Sequence, residues 1–306
     1  MLAATIDRRG VVSIREIPVP SVGRREVRIA VDTAGVGSWD SAMRPEGSNR
    51  FLVPGSDGAG VVAAIGTRVR RFRPGDRVYS YSYQNRKGGF HAQQVVVDAK
   101  KAARVPRRLD LKSAGAIATT GLTALQGVDD ALRLRKGENV IIHGASGGVG
   151  SLALQFAKSR GARVLATASG RDGLALVRRL GADAAVDGKR ENLLAAARRF
   201  APNGVDAVLA FAGGKSLARC LDALKKRGGR FAYPNGVEPP PRKRRGVKTT
   251  AYDGMTGVRE FERLNRAVAA ARLKVPIAKT YPLSRAAAAY ELVKGHVLGK
   301  IVLRIR

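Results

Sequence analysis

Acidic residues, cysteine and aromatic rings are all scarce in this chain. Only 24 Asp and Glu stand against 56 Lys and Arg, a formal net charge of +32 over 306 residues. Such an excess suits nucleic-acid binding, contact with an anionic surface or steering of a polyanionic cofactor. However, the cations are spread along the chain and aromatics make up only 5% of it. Single-strand binding platforms interleave stacking rings with basic groups, so an over-basic solvated surface is the preferred reading, with an RNA- or polyanion-binding protein of slight turnover kept as the alternative. The single cysteine, Cys220, excludes an internal disulfide and agrees with a reducing, cytoplasmic compartment. No apolar run approaches the roughly 18 residues that cross a bilayer, so no membrane partner is expected. Met1–Ile6 is too short for the apolar region of a signal peptide and reads as a first strand.

What is present centres on residues 139–158. Asn139-Val-Ile-Ile142 is a short β-branched run of the kind found in buried parallel strands, and His143-Gly-Ala-Ser-Gly-Gly-Val-Gly150 follows as a turn. Val149, Leu152, Ala153, Phe156 and Ala157 then recur at helical spacing. Such a turn admits a pyrophosphate against the free N–H groups that open the helix. Against G-x-G-x-x-G the aligned residues are Ala145, Gly147 and Gly150, so the first glycine is missing; a G-x-x-x-x-G-K-[ST] phosphate loop is excluded. The alternation continues through a strand at Arg163–Ala168, a helix at Leu174–Leu180 and strands at Ala207–Phe211 and Arg230–Tyr233. An α/β unit with a doubly wound parallel sheet follows, with ligands at the carboxyl ends of its strands. Gly144, Ala145, Ser146, Gly147, Gly148, Val149 and Gly150 are the expected cofactor contacts. NAD sites carry Asp or Glu about 20 residues past the glycines, whereas here the second strand runs into Ser169-Gly170-Arg171. A hydroxyl and an arginine without a strand-end carboxylate suit the 2′-phosphate of NADP(H). Asp172 leaves the NAD reading open.

Residues 1 to about 110 read as short strands and turns without a long amphipathic helix, and a helix at Ser284–Gly295 precedes a last strand at Lys300–Ile305. Pro54-Gly-Ser-Asp-Gly-Ala-Gly-Val-Val62, Phe72-Arg-Pro-Gly-Asp-Arg-Val78, Gly121-Leu-Thr-Ala124, Gly144–Gly150 and Gly295-His-Val-Leu-Gly-Lys-Ile-Val-Leu303 occur in that order. Together they resemble the medium-chain dehydrogenase/reductase superfamily, and within it the zeta-crystallin-like quinone oxidoreductase branch. The resemblance implies a GroES-like β-rich catalytic domain over 1–110 completed by 275–306, a Rossmann NADP-binding domain over 111–274, a cleft where they meet, and a homodimer.

Zinc-dependent relatives carry Cys in the segment that reads Ala34-Gly-Val-Gly-Ser-Trp-Asp40 here, and Gly-His-Glu where this chain has Gly55-Ser56-Asp57. Catalytic zinc needs three Cys, His or carboxylate ligands, and His91, His143 and His296 are scattered, so a metal-free site is expected. Hydride from NADPH then goes to an acceptor that is already electron-poor, a quinone or α,β-unsaturated carbonyl. By the resemblance Asp40, Arg44 and Thr123 are the catalytic candidates. Phe211, Gly213, Asn235 and Gly236 end later strands beside the nicotinamide half, and Lys300 of the terminal motif is a further cofactor contact. Many quinone reductases have Asn where Gly37 stands, with tyrosines soon after; Tyr81, Tyr83 or Asn85 are the substitutes available here. Pro239–Lys248 reads as an exposed basic loop. Tyr290-Glu-Leu-Val-Lys294 matches the Tyr-x-x-x-Lys pair of short-chain dehydrogenases, but it lies far after the glycine turn, and Tyr290 is expected in the core.

Overall fold

The computed structural model describes residues 1–306, except for the side chain of Lys215. The strands of the first part are β1 (Leu2–Asp7), β2 (Val12–Glu16), β3 (Glu26–Val36), β4 (Phe51–Leu52), β5 (Asp57–Ile65), β6 (Arg77–Tyr81), β7 (Gln94–Asp98) and β8 (Ala102–Arg104). A one-turn helix, α1 (Ser38–Ala42), interrupts them after β3, and α2 (Leu111–Gln126) follows β8. Next come β9 (Asn139–His143), α3 (Gly150–Ser159), β10 (Arg163–Ala168), α4 (Gly170–Arg179), β11 (Ala184–Asp187), α5 (Leu193–Phe200), β12 (Ala207–Ala210), α6 (Lys215–Asp222), β13 (Gly229–Pro234) and β14 (Val247–Tyr252). The chain closes with α7 (Val258–Ala270), β15 (Ile277–Pro282), α8 (Ala286–Val293) and β16 (Lys300–Arg304).

Contacts divide the chain into two units. The first holds residues 1–119, 256–266 and 277–306, and the second 120–255 and 267–276. Two of the four divisions fall inside α2 and α7, where no break in composition marks them, and the other two lie just before α7 and at the start of β15.

In the first unit a seven-stranded sheet has the order β15-β16-β3-β5-β6-β8, with β7 also paired to β3, and a small sheet has the order β2-β1-β4. The last strand does return to this unit: β16 runs antiparallel to β3, pairing Leu303 with Ala34 and Ile301 with Val36. Its core joins Ile29, Val31, Val62, Val78, Phe90, Val95, Leu303 and Tyr290. β15 went unread in the sequence: its pattern of mostly exposed residues carries too little apolar alternation to mark a strand.

The second unit is a six-stranded sheet of order β11-β10-β9-β12-β13-β14, parallel at every pairing. The order reverses at β9, so successive crossovers leave from opposite sides and open a crevice at its carboxyl end. Val140, Ile141 and Ile142 are wholly buried, as a strand covered on both faces requires. The helix after the turn is less one-sided than its spacing suggests. Every residue from Gly150 to Ala157 is buried, including Leu154 and Gln155. Gln155 remains polar inside because its amide is fully used, donating to the Ser151 and Lys274 carbonyls and accepting from Lys274 N–H. β11 and β14 also escaped the sequence reading. The second overlaps the supposed loop at 239–248, where exposed cations hide the strand from Val247 onward. Tertiary pairing with β13 makes it a strand nonetheless.

Candidate active site

The turn after β9 is built from backbone. Gly144 takes a positive φ of 75°, and its N–H donates to Thr167 Oγ1 at 3.0 Å, while Ala145 N–H reaches the Thr167 carbonyl at 2.9 Å. A Cβ on Gly150 would lie 2.2 Å from the Gly144 oxygen, so the last glycine is demanded by the tightness of the turn. A Cβ on Gly147 would meet only one atom, at 3.5 Å, leaving that side open. The N–H groups of Ser146, Gly148 and Val149 find no acceptor among the described residues, and Val149 caps α3 without a side-chain bond. Free donors at the positive end of a helix fit a diphosphate. Behind the turn, His143 shares hydrogen bonds with Thr167 at 2.8 Å and Ser216 at 3.3 Å. Burial pushes its pKa down to about 4, so it is a neutral strut for the loop.

At the end of β10, Ser169 caps α4 without a side-chain bond, and Arg171 and Asp172 are exposed. A carboxylate from the neighbouring strand lies beside this edge. Asp187 ends the unread strand β11 and pairs in register with Ala168. Its Oδ2 accepts from Gly170 N–H at 2.9 Å, and its Oδ1 from the N–H groups of Lys189 at 2.9 Å and Arg190 at 3.2 Å. Those three donors hold the carboxyl below the ordinary range. The charge fastens two loops together.

The ends of β12 and β13 carry the other expected contacts. Phe211 is half-buried, and its N–H donates to the His143 carbonyl at 3.0 Å. What approaches Gly213 closely is this unit's own backbone: a Cβ there would fall 1.9 Å from the Glu238 carbonyl oxygen. Asn235 spends its amide on Asp253 at 2.8 Å, whereas Gly236, at φ 91°, would meet nothing with an added Cβ. Thr123 sits buried on α2, with its carbonyl accepting from Tyr252 OH at 3.0 Å. A Cβ on Gly254 would come within 2.6 Å of the Thr123 hydroxyl oxygen.

The first unit holds a buried polar cluster that the sequence did not announce. Asp40 is wholly buried, its Oδ2 accepting from Gly37 N–H at 2.8 Å and its Oδ1 from Ser56 N–H at 3.0 Å and Ser56 OH at 2.7 Å. The Trp39 indole N–H donates to Ser56 Oγ at 2.9 Å. These bonds tie α1 to the start of β5 through the Asp40 carboxylate. Arg44 is exposed and donates to the carbonyls of Ser41 and Met43 in its own loop. Asp57 is also fully buried, accepting from Thr119 N–H at 2.9 Å, with Lys300 Nζ 3.9 Å from its other oxygen. Burial holds the Asp57 carboxyl above its ordinary value against the opposing pull of Lys300. Lys300 is 5% exposed, its ammonium lies 5.0 Å from the centre of the Trp39 ring, and it has no hydrogen-bond acceptor among the described residues. His91 Nε2–H donates to the Gly35 carbonyl at 3.0 Å, leaving Nδ1 to accept from Tyr290 OH. Tyr290 is core, as expected, and Lys294 is an exposed partner of Glu291. The Tyr-x-x-x-Lys pair is therefore not assembled.

This donor set does not fit a catalytic zinc. Ser56 stands at one ligand position with its hydroxyl committed to Asp40, and Gly37 at the other has no side chain. Among the described residues no three His, Cys, Asp or Glu side chains converge. Nor is any helix there long and apolar enough to cross a membrane.

Two family models match the chain. The alcohol dehydrogenase GroES-like domain covers residues 23–107, and a model described as zinc-binding dehydrogenase covers 180–303, a stretch containing neither Gly37 nor Ser56. The pig (Sus scrofa) quinone oxidoreductase is 31% identical over 291 residues, covering 90% of this chain and 86% of the relative. A mycobacterial protein solved as a complex with NADPH superposes with a TM-score of 0.88 at 26% identity, all of both chains being covered. A structure described as an NAD-dependent alcohol dehydrogenase gives 0.89 at 28% identity, again over the full length of both.

Proposed function

The chain belongs to the medium-chain dehydrogenase/reductase superfamily, and from that premise we propose that it is an NADPH-dependent oxidoreductase that reduces quinones or α,β-unsaturated carbonyls without zinc. NADPH, when bound, supplies the hydride. The N–H groups of Ser146, Gly148 and Val149 receive its diphosphate, Ser169 and Arg171 lie at its adenosine end, and Phe211 and Gly236 edge its nicotinamide half. Each unit by itself offers a candidate donor to a ligand oxygen: the Thr123 hydroxyl in the second and, in the first, the Lys300 ammonium, which has no hydrogen-bond acceptor among the described residues. Asp40 acts through Ser56 and Trp39 as a positioning residue, and Arg44 has no assigned contact with reacting atoms.

The observation that carries the choice of acceptor is the bond from Ser56 OH to Asp40 at a zinc-ligand position. Alcohol oxidation requires removal of the hydroxyl proton by a base or stabilisation of the alkoxide by a Lewis acid, whereas a quinone or enone already delocalises the incoming charge and takes its proton from water. Loss of reduced-nicotinamide absorbance with a panel of quinones and enals tests this. Turnover with at least one of them, and none with simple alcohols and NADP⁺, is expected. Binding of NADPH with no oxidation by any acceptor would overturn the reading. Cytoplasmic location and a homodimer complete it, and gel filtration with light scattering checks the dimer.

A further inference from the structure

The first unit carries a small cavity that the proposed reaction does not use. It is a space of about 260 Å³ between the loop before β6, the strand β8 and the first turns of α7. All of its lining belongs to one unit, since residues 256–266 group with 1–119. β8 ends the seven-stranded sheet, and Asn265 fastens α7 against it. The Asn265 side-chain oxygen accepts from Tyr79 OH at 2.6 Å, and its amide donates to the Arg104 carbonyl at 3.3 Å. Phe261, one helical turn earlier, meets the Tyr79 ring edge-on with centroids 4.9 Å apart. The walls are therefore set before any ligand arrives, which lowers the cost of binding.

Three charged side chains face the space. Arg71 and Arg104 hold their guanidinium carbons 5.3 and 5.8 Å from the centre of one ring, that of Phe72, which is 5% exposed. Stacking on a buried ring fixes where both forks sit. Arg104 gives Nη2 to Asp76 at 2.8 Å, and Arg71 makes one long bond, from Nη1 to the Ala99 carbonyl at 3.5 Å. Donors on both forks are left over. The third charge is Glu262, which has no ion pair among the described residues, and neither has Arg71. The cavity thus keeps a carboxylate and a guanidinium on its lining without joining them. A simple anion would be repelled by Glu262 and a simple cation by both arginines. A molecule carrying one charge of each sign satisfies all three, and Val258 and Phe261 offer it an apolar wall. The volume lies below the roughly 300–1,000 Å³ of drug-sized sites, which limits the occupant to a small metabolite.

We propose that this cavity binds a free α-amino acid with an apolar side chain. Arg71 and Arg104 take its carboxylate, Glu262 takes its ammonium, and the side chain lies on Phe261 and Val258. Such a site stands or falls apart from the nucleotide chemistry, because none of its residues belongs to the parallel-sheet unit.

Calorimetric titration of the full-length protein with L-phenylalanine tests it. Two further probes each lack one charge: 3-phenylpropionate has no ammonium and L-phenylalaninamide no carboxylate. Wild type is compared with Arg71→Ala and Glu262→Gln, both at exposed positions, so far-ultraviolet dichroism should be unchanged. Each substitution removes a charge-assisted bond and should weaken L-phenylalanine by at least about tenfold. Glu262→Gln should leave 3-phenylpropionate within about threefold or bind it more tightly, since the repelling carboxylate is gone. Arg71→Ala should do the same for L-phenylalaninamide. Wild type that binds 3-phenylpropionate as well as L-phenylalanine would overturn the proposal, because the ammonium would then count for nothing. So would L-phenylalanine affinity that both variants keep. Absence of heat at about 10 mM L-phenylalanine, where a millimolar site would be mostly filled, overturns it as well.

Discussion

The two units treat their polar groups in opposite ways. In the first, Asp40 pairs with Ser56 and Ser56 with Trp39, His91 pairs with Tyr290, and Lys300, one oxygen of Asp57 and Arg28 Nε are buried without hydrogen-bond partners among the described residues. In the second, the groups that matter are main-chain N–H donors at the mouth of a helix, kept open by glycines and backed by the neutral pair of His143 and Thr167. Side-chain networks buried away from water define a rigid shape and fail badly when one member is lost. Open backbone donors cost little in water and gain when an anion arrives. The contrast suggests one unit specialised for shape and one for charge.

Four substitutions probe that contrast, the most damaging first. Asp40→Ala leaves two N–H groups and a hydroxyl buried without an acceptor, and should cost about 3–5 kcal/mol in denaturant unfolding. A loss below about 1 kcal/mol would show that the cluster is not a mutually dependent network. Second comes acid. His143 is held neutral to about pH 4 in the folded chain, while the unfolded chain takes up its proton near its ordinary value of about 6.5. The unfolded state therefore binds more protons in between, and stability falls as pH drops from about 6.5 to about 4, by up to about 3 kcal/mol. His91, also lowered by burial, and the carboxylates contribute to any acid titration. The difference between wild type and His143→Asn isolates the one group, and identical slopes would mean that His143 protonates freely when folded. Gly150→Ala comes third. Its methyl would press on the Gly144 carbonyl at 2.2 Å, costing about 1–3 kcal/mol and loosening NADPH about tenfold as the donors shift. Unaltered nucleotide affinity would detach binding from the turn. Last, Lys294→Ala removes an exposed ion pair and should change stability by less than about 0.5 kcal/mol without altering turnover. A collapse in turnover would instead give the Tyr290–Lys294 pair a chemical role.

The glycine turn and its flanking strand were legible because their signals are local. A β-branched run, a cluster of glycines and a change of period all lie within twenty positions of one another. Arg163–Ala168 was read to the residue for the same reason. Asp187 was missed because Ala184–Asp187 is short and only half-buried along its length. It becomes a strand through pairing with β10, and its carboxylate matters only because that pairing sets it beside Ala168 and Gly170. Asp40 was legible as a polar residue of interest but its partners were not, since nothing local shows that its carboxylate caps its own helix and grips Ser56, sixteen positions on.

Composition and local pattern alone determined the large-scale features of this protein: two kinds of unit, a glycine turn between strand and helix at 144–150, and a glycine and a serine at 37 and 56. Those depend on residue identity and on spacing within a few turns of chain. Which polar groups are spent and which stay open was decided only by tertiary structure. That is a question of who lies within three ångströms of whom across the chain, as His91 finds Tyr290 and Asp187 finds Gly170, and burial then fixes the cost of each vacancy.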